Sequence, residues 1–308
     1  MIITRTPLRL SLLGGNTDFR KYYLKHGGAV LTTTIDKYVY CIVHKRFDDE
    51  IRVNYSIKEI VNNVKDIKHE LVREAMKLVG VEKGIEISFM SDIPSEGSGL
   101  GSSSAVTIGV LNALHHYKGE SPSPLQLAEE AIYIELDVLK KPIGVQDQYA
   151  IAFGGFNLIE LGKEIKVKKV KPIKKENLLL LYTGITRKSE SILSKMKPNK
   201  KILDQNKDLA YYGSTQTRHP LNFGILLDIY WTLKRKLNSS TSNSFIDKKY
   251  QLALKLGAIG GKVVGAGGGG FILLVVSRNY KGYIKKKLGL KELEIGFSKG
   301  GSKVIFEI

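Results

Sequence analysis

A chain of 308 residues is long enough for about two domains, each with its own hydrophobic core. Its composition, 43% hydrophobic and 25% charged, is typical of a soluble globular protein. No apolar run approaches the roughly 20 residues that cross a bilayer, and Pro7 and Arg9 make the N-terminal stretch a poor signal peptide. A single cysteine, Cys41, excludes an internal disulfide and a multi-thiolate metal site. These features predict a cytoplasmic protein without a membrane partner.

The net charge of +18 is unevenly distributed. Residues 1–155 contain 18 Lys and Arg against 19 Asp and Glu, whereas residues 156–308 contain 30 against 11. Such a surplus is compatible with nucleic-acid binding. However, Lys greatly outnumbers Arg, and clusters such as Lys285–Lys287 lack interleaved aromatic residues, so a solvated lysine surface is the preferred interpretation and no nucleic-acid partner is expected. The field of this surface could draw in anionic small molecules.

The first half of the chain is rich in predicted strands. A strand over residues 1–13, interrupted by Pro7, leads into a turn at Gly14–Asp18. The remaining elements in chain order are strands at 27–35, 37–46 and 51–55, a helix at 66–79, a strand at 85–89, a buried helix at 105–114, a helix at 124–140 capped by Ser123 and stopped by Pro142, a helical turn at 143–155 and a strand at 156–161.

The second half predicts a further domain with more helices. A lysine-rich segment at 163–176 indicates the seam, so the domains are expected to span 1–172 and 173–308. The predicted elements are a strand at 178–182, helices near 187–197, 202–218, 220–237 and 245–257, a strand at 271–276, a basic helix at 279–288, and strands at 291–297 and 302–307. This order predicts an α+β fold without regular βαβ alternation.

Three glycines, Gly97, Gly99 and Gly101, lie between the strand at 85–89 and the helix at 105–114. Backbone N–H groups at a helix N-terminus lack intrahelical acceptors, and the helix dipole adds about half a positive charge there. Small residues let an anion approach that backbone closely. The stretch therefore predicts a phosphate-binding loop, with a flexible serine-capped loop as the alternative. It lacks the lysine of a Walker A loop, and its third glycine comes too early for a dinucleotide fingerprint.

A second glycine-rich stretch, residues 257–270, contains eight of the 31 glycines. Consecutive glycines indicate backbone that passes close to a ligand or to another loop, with a hairpin turn as the alternative.

Four stretches resemble the signature motifs of the GHMP small-molecule kinases, in the family's order. They are Pro7–Asp18, Pro94–Ala105, Gly144–Tyr149 and Gly265–Gly270, and together they extend over the whole chain. The resemblance implies a two-domain fold, with an N-terminal domain like the second domain of ribosomal protein S5 and a ferredoxin-like C-terminal domain. The active site would lie in the cleft between them.

The resemblance also implies that ATP and Mg²⁺ bind at the phosphate loop. The nucleotide phosphates would contact Pro94 and the following run, which comprises Gly97, Ser98, Gly99, Leu100, Gly101, Ser102, Ser103 and Ser104. The metal ligands of the family match Ser103 and Glu135, with Ser104 and Glu130 as alternatives. Hydroxyl and carboxylate oxygens suit Mg²⁺, which prefers a few protein oxygens together with phosphates and water.

Asp147 matches the family's catalytic base, which takes the proton of the attacking sugar hydroxyl. Phosphoryl transfer depends mainly on positioning and charge neutralisation, so a weak base is sufficient. Arg9 matches the cation of the first motif in the sugar kinases. It would orient Asp147 and offset the charge of the γ-phosphate.

The first motif also supplies candidates for acceptor binding. Asp18 resembles the aspartate that accepts hydrogen bonds from sugar hydroxyls, a role suited to a carboxylate because both oxygens can accept. Gly15 and Asn16 replace the Glu-His of the galactokinases, which argues against galactose. Gly267 and Gly268 of the last motif are further candidates for substrate binding.

Further segments look like the heptose 7-phosphate kinase branch of the family, among them 182–189 and 219–224. This branch implies phosphorylation of the anomeric O1 of D-glycero-D-manno-heptose 7-phosphate, for nucleotide-activated heptose and surface polysaccharide. A phosphorylated sugar needs a second anion site, and Thr186, Arg187 and Lys188, at the start of a predicted helix, are candidates. A solvated first turn is the alternative for these three residues.

Other interpretations remain open at this point. A fucokinase or related hexose kinase would share the same motifs, and an inactive sugar sensor or an RNA-binding protein could share the fold. The expected partners are a sugar phosphate and ATP, and the chain is expected to be a monomer or a homodimer. His115 and His116 are interpreted as packing or surface residues and not as ligands.

Overall fold

Two β-sheets organise the fold, and the computed structural model describes them over residues 1–94, 97–187 and 189–308. Within these ranges the larger sheet contains β1 (Ile2–Leu13), β2 (Gly28–Lys45), β3 (Ile51–Asn54), β4 (Lys58–Val61), β5 (Ile85–Ser91), β6 (Phe156–Leu161), β7 (Lys166–Lys169) and β12 (Lys303–Glu307). The smaller contains β8 (Leu178–Tyr182), β9 (Gly260–Val263), β10 (Phe271–Val275) and β11 (Lys291–Glu292). Their strand orders are β12-β1-β2-β5-β3-β4, with β6 and β7 continuing from β2, and β11-β8-β10-β9.

Helices cover the sheets. In chain order they are α1 (Arg20–His26), α2 (Glu70–Val79), α3 (Ser102–Tyr117), α4 (Pro124–Ile132), α5 (Gln146–Phe153), α6 (Ser189–Leu193), α7 (Lys200–Gln216), α8 (Pro220–Leu237), α9 (Ser244–Lys255) and α10 (Lys281–Leu288). Short 3₁₀ turns occupy 64–66, 175–177, 239–241 and 278–280. Within the described ranges, no helix combines the length and apolarity needed to cross a bilayer.

Strand β2 is continuous over 18 residues, where the sequence predicted two strands divided near Asp36. Strand β1 pairs with both halves of β2 through register shifts between Pro7 and Arg9 and between Ser11 and Leu13. The other edge of β2 pairs first with β6 and then with β5. Bulges of this kind bend a strand and re-aim its side chains, and Arg9 directly follows the first of these shifts.

Helix α4 begins as its sequence predicts. The Ser123 hydroxyl accepts a hydrogen bond from the Gln126 backbone N–H at 3.1 Å, and Pro124 occupies the first turn. The helix then continues as a π-helical turn, Tyr133–Val138. Such turns widen a helix by one residue and often occur at functional sites.

Strand β11 is shorter than the predicted strand at 291–297 because the chain leaves the smaller sheet after Glu292. Phe297 forms an isolated bridge with Ile35 of the larger sheet, and Gly296 N–H donates to the Asp36 carboxylate at 2.7 Å. The chain then pairs as β12 with β1. The last strand therefore belongs to the sheet of the first.

One hydrophobic cluster extends across both sheets. Leu10 and Leu31 of the larger sheet share it with Leu180 and Leu273 of the smaller one. Cys41 is fully buried in the same cluster, which confirms its prediction as a core residue. The division of the chain at 172/173 stays a prediction.

Candidate active site

The loop before α3 has the geometry of an anion cradle. Gly97, Gly99 and Gly101 all have positive φ, at 68°, 76° and 81°, which favours glycine at each position. A Cβ at Gly99 would lie 2.8 Å from the Val264 carbonyl oxygen. In the described part of the chain, no side chain caps α3, which begins at Ser102, so its first backbone N–H groups are available to an anion.

The serines at the start of α3 face different environments. Ser102 and Ser104 are buried, whereas Ser103 is exposed at the cradle. Upstream, Pro94 and Ser98 line a cavity of about 270 Å³ together with Tyr182 and Phe271 of the smaller sheet. The buried Leu100 anchors the loop, because its carbonyl accepts a hydrogen bond from the Arg9 N–H at 2.9 Å.

The second glycine-rich stretch packs directly on this cradle. A Cβ at Gly265 would lie 2.6 Å from the Gly99 carbonyl oxygen, and one at Gly270 would lie 2.3 Å from the Ser98 carbonyl oxygen. Residues 260–263 of the stretch form strand β9, and residues 264–270 form its connection to β10. The glycines therefore allow two backbone segments to touch, which confirms the expectation of close backbone approach.

Arg9 and Asp147 form a bidentate pair beside the cradle. Arg9 Nε donates to Asp147 Oδ1 at 2.7 Å and Nη2 donates to Oδ2 at 2.6 Å. The third donor, Nη1, bonds to the Gly99 carbonyl oxygen at 2.6 Å. The Arg9 side chain is 6% exposed and that of Asp147 is 22% exposed, so the carboxylate keeps an open face. Asp147 lies in the first turn of α5.

Asp18 lies next to this pair in a tight pocket. Its carboxylate accepts hydrogen bonds from the backbone N–H groups of Asn16, at 2.9 Å, and Gln146, at 3.3 Å. Burial and the nearby Asp147 charge raise the pKa of Asp18 to about 6. A Cβ at Gly144 would overlap the Asp18 carboxylate at 1.9 Å, so only glycine fits there. The structure thus brings two predicted carboxylates together.

Helix α8 contacts the turn that carries Asp18. Asn16 has a φ of 74°, an uncommon conformation for a residue other than glycine. Gly15 presents its carbonyl to the hydroxyl of Tyr230 in α8, which donates to it at 3.3 Å. The predicted substrate residues Gly15 and Asn16 therefore sit at the contact between the first motif and α8.

Glu135 lies on the π-helical turn and faces the start of α3. The Ser104 hydroxyl donates to Glu135 Oε2 at 3.1 Å, while Ser103 remains exposed. Glu135 is fully buried, and burial raises its pKa to about 7. The alternative, Glu130, bonds instead to His115 Nε2 at 2.7 Å near the far end of α3. Glu135 is therefore the glutamate that reaches the cradle.

The donor set at this point fits Mg²⁺. Among the described residues, Glu135 Oε1 is buried without a hydrogen-bond partner, which leaves one carboxylate oxygen for a cation. The exposed Ser103 hydroxyl provides another hard oxygen. No cluster of three or more His, Cys, Asp and Glu suited to a metal occurs in the described ranges, but Mg²⁺ beside phosphates needs only one or two carboxylates.

His115 is a structural residue, as predicted. It is buried on α3, and its two ring nitrogens lie 2.6 Å from Glu120 Oε2 and 2.7 Å from Glu130 Oε2. These carboxylates, Glu130 above all, raise the pKa of His115. His116 Nδ1 lies 2.8 Å from the Asn112 carbonyl oxygen of its own helix.

Arg187 lies between the two glycine-rich segments. A Cβ at Gly97 would lie 2.5 Å from the Arg187 backbone nitrogen, and one at Gly268 would lie 3.2 Å from Arg187 Cδ. Burial lowers the pKa of Arg187 to about 10. Thr186 is exposed next to it, and Lys188 lies outside the described residues. The predicted second anion site is thus close to the donor cradle.

The other two glycine candidates, Gly267 and Gly268, pack against Thr241. A Cβ at Gly267 would lie 2.4 Å from Thr241 Cγ2, and the Gly268 N–H donates to the Thr241 carbonyl at 2.5 Å. Their role in substrate binding stays a prediction.

Sequence reasoning missed two buried lysines. Lys262 in β9 donates to the backbone carbonyls of Ser11, at 2.7 Å, and Leu12, at 3.1 Å, and its amine lies 4.6 Å from the centre of the Tyr230 ring. Lys234 in α8 donates to the Gly265 carbonyl. Each lysine interrupts an otherwise apolar buried segment, and this interruption is the feature of the sequence that could have revealed it.

This arrangement suits phosphoryl transfer. A backbone cradle and buried cations can hold the phosphates of a nucleotide, while Asp147 can receive a proton and Asp18 can bind hydroxyls. Phosphoryl transfer relies on such positioning and charge neutralisation.

Comparison with known proteins leads to the same conclusion. Residues 61–155 match the family model described as GHMP kinases N terminal domain. The chain is 32% identical to a D-glycero-alpha-D-manno-heptose 7-phosphate kinase from Campylobacter jejuni, over 98% of both chains. The chain belongs to the GHMP kinase family. It is therefore an ATP-dependent sugar kinase, as the motifs predicted.

Solved structures confirm the GHMP kinase fold. A putative sugar kinase from Campylobacter jejuni, 29% identical, superimposes with a TM-score of 0.77 over 98% of this chain and 97% of its own. A D-glycero-D-manno-heptose 1-phosphate kinase from Bacteroides thetaiotaomicron, 24% identical, gives a TM-score of 0.82 over 100% and 99%. The second likeness concerns the fold alone. Both superpositions extend over the two sheets of this GHMP kinase.

Proposed function

We propose that this GHMP kinase transfers the γ-phosphoryl group of ATP to the anomeric O1 of D-glycero-D-manno-heptose 7-phosphate. The product would be the 1,7-bisphosphate, for nucleotide-activated heptose and surface polysaccharide. The observation that carries the proposal is the pair of adjacent carboxylates, Asp18 and Asp147, beside a phosphate cradle. Full-length similarity to the heptose 7-phosphate kinase from Campylobacter jejuni supports the choice of sugar.

In this proposal the donor side works through backbone and cations. The triphosphate lies on the N–H groups of the Gly97–Ser104 loop. Arg9 neutralises charge on the transferred group while it holds Asp147 in place. Glu135 and Ser103 would hold Mg²⁺, which supplies charge neutralisation to the phosphates when bound.

On the acceptor side, Asp18 accepts hydrogen bonds from sugar hydroxyls. Asp147 accepts the hydrogen bond of the O1 hydroxyl and then its proton. The O1 oxygen forms a bond to Pγ as the bond between Pγ and the bridging oxygen of ADP breaks. Bound geometry supplies much of the acceleration in such a reaction.

The phosphate already carried by the acceptor needs a cation of its own. We assign Arg187 to this role, because it is largely buried between two glycine-rich segments at the edge of the cleft. A guanidinium binds phosphate through two parallel N–H donors.

A screen of ADP release over sugars and sugar phosphates tests the proposal. The panel contains heptose 7-phosphate, the same heptose without phosphate, L-fucose and related hexoses, and ³¹P and ¹³C NMR of the product identifies the phosphorylated hydroxyl. The highest kcat/KM is expected for heptose 7-phosphate, with phosphate on O1. Preference for fucose would replace the proposal by a fucokinase, and turnover of no sugar would favour a sensor.

A further inference from the structure

Lys234 is a buried lysine to which neither the motifs nor the proposed mechanism gives a role. It occupies the buried stripe of α8, which comprises Phe223, Leu227, Tyr230, Lys234 and Leu237. Only 4% of its surface is exposed. Burying an ammonium group is costly unless strong partners compensate for lost hydration. An apolar side chain would fill this position at no such cost, so the amine calls for a functional explanation.

The partner of the Lys234 amine in the structure is a neutral group. The amine donates to the backbone carbonyl of Gly265, and the ranges 1–94, 97–187 and 189–308 offer it no carboxylate partner. A carbonyl satisfies one of three N–H donors and carries no charge to balance the ammonium. Among the described residues, the positive charge of Lys234 is thus incompletely compensated.

Gly265 places the amine at the donor cradle. Its backbone touches Gly99, and the Gly99 carbonyl accepts the Nη1–H of Arg9. The Lys234 amine and the Arg9 guanidinium therefore bond to two peptide segments in direct contact, the lysine from the C-terminal side of the cleft and the arginine from β1. They can act on one group from opposite sides.

Other charges confirm that cations converge here. Arg187 and Arg9 repel the Lys234 ammonium and Asp18 attracts it, while burial disfavours its charge most strongly. The pKa of Lys234 is lowered to about 7 by these causes. Lys234, Arg9 and Arg187 are near enough to interact electrostatically, an arrangement suited to a multiply charged anion.

We propose that Lys234 binds a phosphate oxygen in the cleft, exchanging the Gly265 carbonyl for the anion. The phosphate could come from either of two sources, the transferred γ-phosphoryl group of ATP or the phosphate that the acceptor already carries. The second source rests on the proposed function, whereas the first requires only kinase activity. In both cases Lys234 is a substrate-contacting residue supplied by the second domain.

The test compares Lys234→Met with Lys236→Met, which removes an exposed lysine two positions later on the same helix. Steady-state kinetics are measured on heptose 7-phosphate and on the same heptose without phosphate, at saturating ATP. Contact with the γ-phosphoryl group predicts that kcat falls about 100-fold with both sugars and that each KM stays within about threefold. Contact with the acceptor phosphate predicts that KM rises about 30-fold or more for heptose 7-phosphate alone. Lys236→Met should match the wild type.

The experiment distinguishes failure of the proposed acceptor sugar from failure of the proposed role of Lys234. If the wild type phosphorylates another sugar and not heptose 7-phosphate, the proposed acceptor is wrong, and the comparison of kcat is repeated on the true acceptor. Thermal unfolding is recorded for every variant, with Lys234→Gln as the second substitution. Kinetic constants within threefold of the wild type for Lys234→Met overturn the role of Lys234. The role of Lys234 is also overturned if, in both Lys234→Met and Lys234→Gln, the loss of activity is no larger than the loss of folded protein.

Discussion

The two walls of the proposed active-site cleft, one for the phosphate donor and one for the acceptor, differ in chemical composition. The donor wall consists of backbone, since the Gly97–Ser104 loop and the segment at 265–270 meet where no side chain fits. The proposed acceptor wall consists of ionisable side chains, the buried Asp18 and the partly buried Asp147. A backbone wall fails by steric crowding and is insensitive to pH, whereas a wall of buried charges depends on pH and lowers the stability of the fold.

The largest expected effect is at Asp147. The substitution Asp147→Asn removes the proton acceptor and the charge that holds Arg9, so kcat should fall by about 10³-fold, within the range for general acid–base groups. ATP should still bind, because the backbone cradle is untouched. Turnover is measured by ADP release and ATP affinity by calorimetry. Asp48→Asn removes the partner of Arg46 far from the cleft and should leave kcat unchanged. Substantial turnover in Asp147→Asn would exclude its role as base.

Adding one methyl group to the phosphate loop tests whether the donor wall tolerates a side chain. Gly101→Ala would place a Cβ 2.9 Å from Arg9 Cγ in a residue with φ 81°, so kcat/KM for ATP should fall about 10- to 100-fold through misplacement of the loop and Arg9. Gly119→Ala is the matched control, because φ is 78° there and the added Cβ has no neighbour within 4 Å. Both variants should lose about 1 kcal/mol of stability from backbone strain. Equal kinetics in the two would mean that crowding at the cradle is harmless.

Asp18 tests whether the acceptor wall lowers stability. Its pKa is raised to about 6 in the folded chain, so the folded state holds this proton more tightly than the unfolded state does. The contribution to stability is therefore fully present below the unfolded pKa and is lost as pH rises through 6. Relative to wild type, Asp18→Asn should gain stability by about 2 kcal/mol more at pH 8 than at pH 4, while KM for the sugar rises. Denaturant unfolding at both pH values measures this difference, and a pH-independent difference would contradict it.

The smallest expected effects decide which serine, Ser103 or Ser104, is a ligand of Mg²⁺ together with Glu135. If Ser103 is a ligand, Ser103→Ala should raise the Mg²⁺ concentration for half-maximal activity about tenfold. Ser104→Ala should raise it less, by about threefold, because in that case the Ser104 hydroxyl only orients Glu135, to whose Oε2 it donates at 3.1 Å. Magnesium titrations of initial rate provide the measurement. The reverse order would identify Ser104 as the metal ligand.

The sequence predicts the donor wall better than the acceptor wall. Glycine spacing points to a phosphate cradle or a serine-capped loop, and the structure shows why glycine is needed, since Gly97, Gly99 and Gly101 each have a backbone conformation that few other residues adopt. Asp18 and Asp147 were identified through the family resemblance. They are separated by 128 residues, and nothing in the sequence around either one shows that the fold brings them together. Lys234 was missed because a lysine on an amphipathic helix ordinarily lies in solvent, and only the packing of α8 against the glycine segment buries it.

Similar reasons explain the misjudged elements of the fold. Residues 291–297 read as a strand from their apolar and acidic alternation, yet long-range contacts of Gly296 and Phe297 draw the chain to the other sheet. The predicted break in β2 at Asp36 is absent because β1 pairs across both halves. Local propensity does not encode either contact.

The pairing of β12 with β1 has a consequence for the order of folding. Ile2 is aligned with Glu307, so the outer edge of β1 is covered only after residues 303–307 have been synthesised. Until then the nascent chain exposes unpaired N–H and C=O groups along this edge, a template for pairing with other chains. Closure of so long a loop is slow compared with local helix formation. The edge of β1 is therefore open to pairing with other chains for as long as β12 has not reached it.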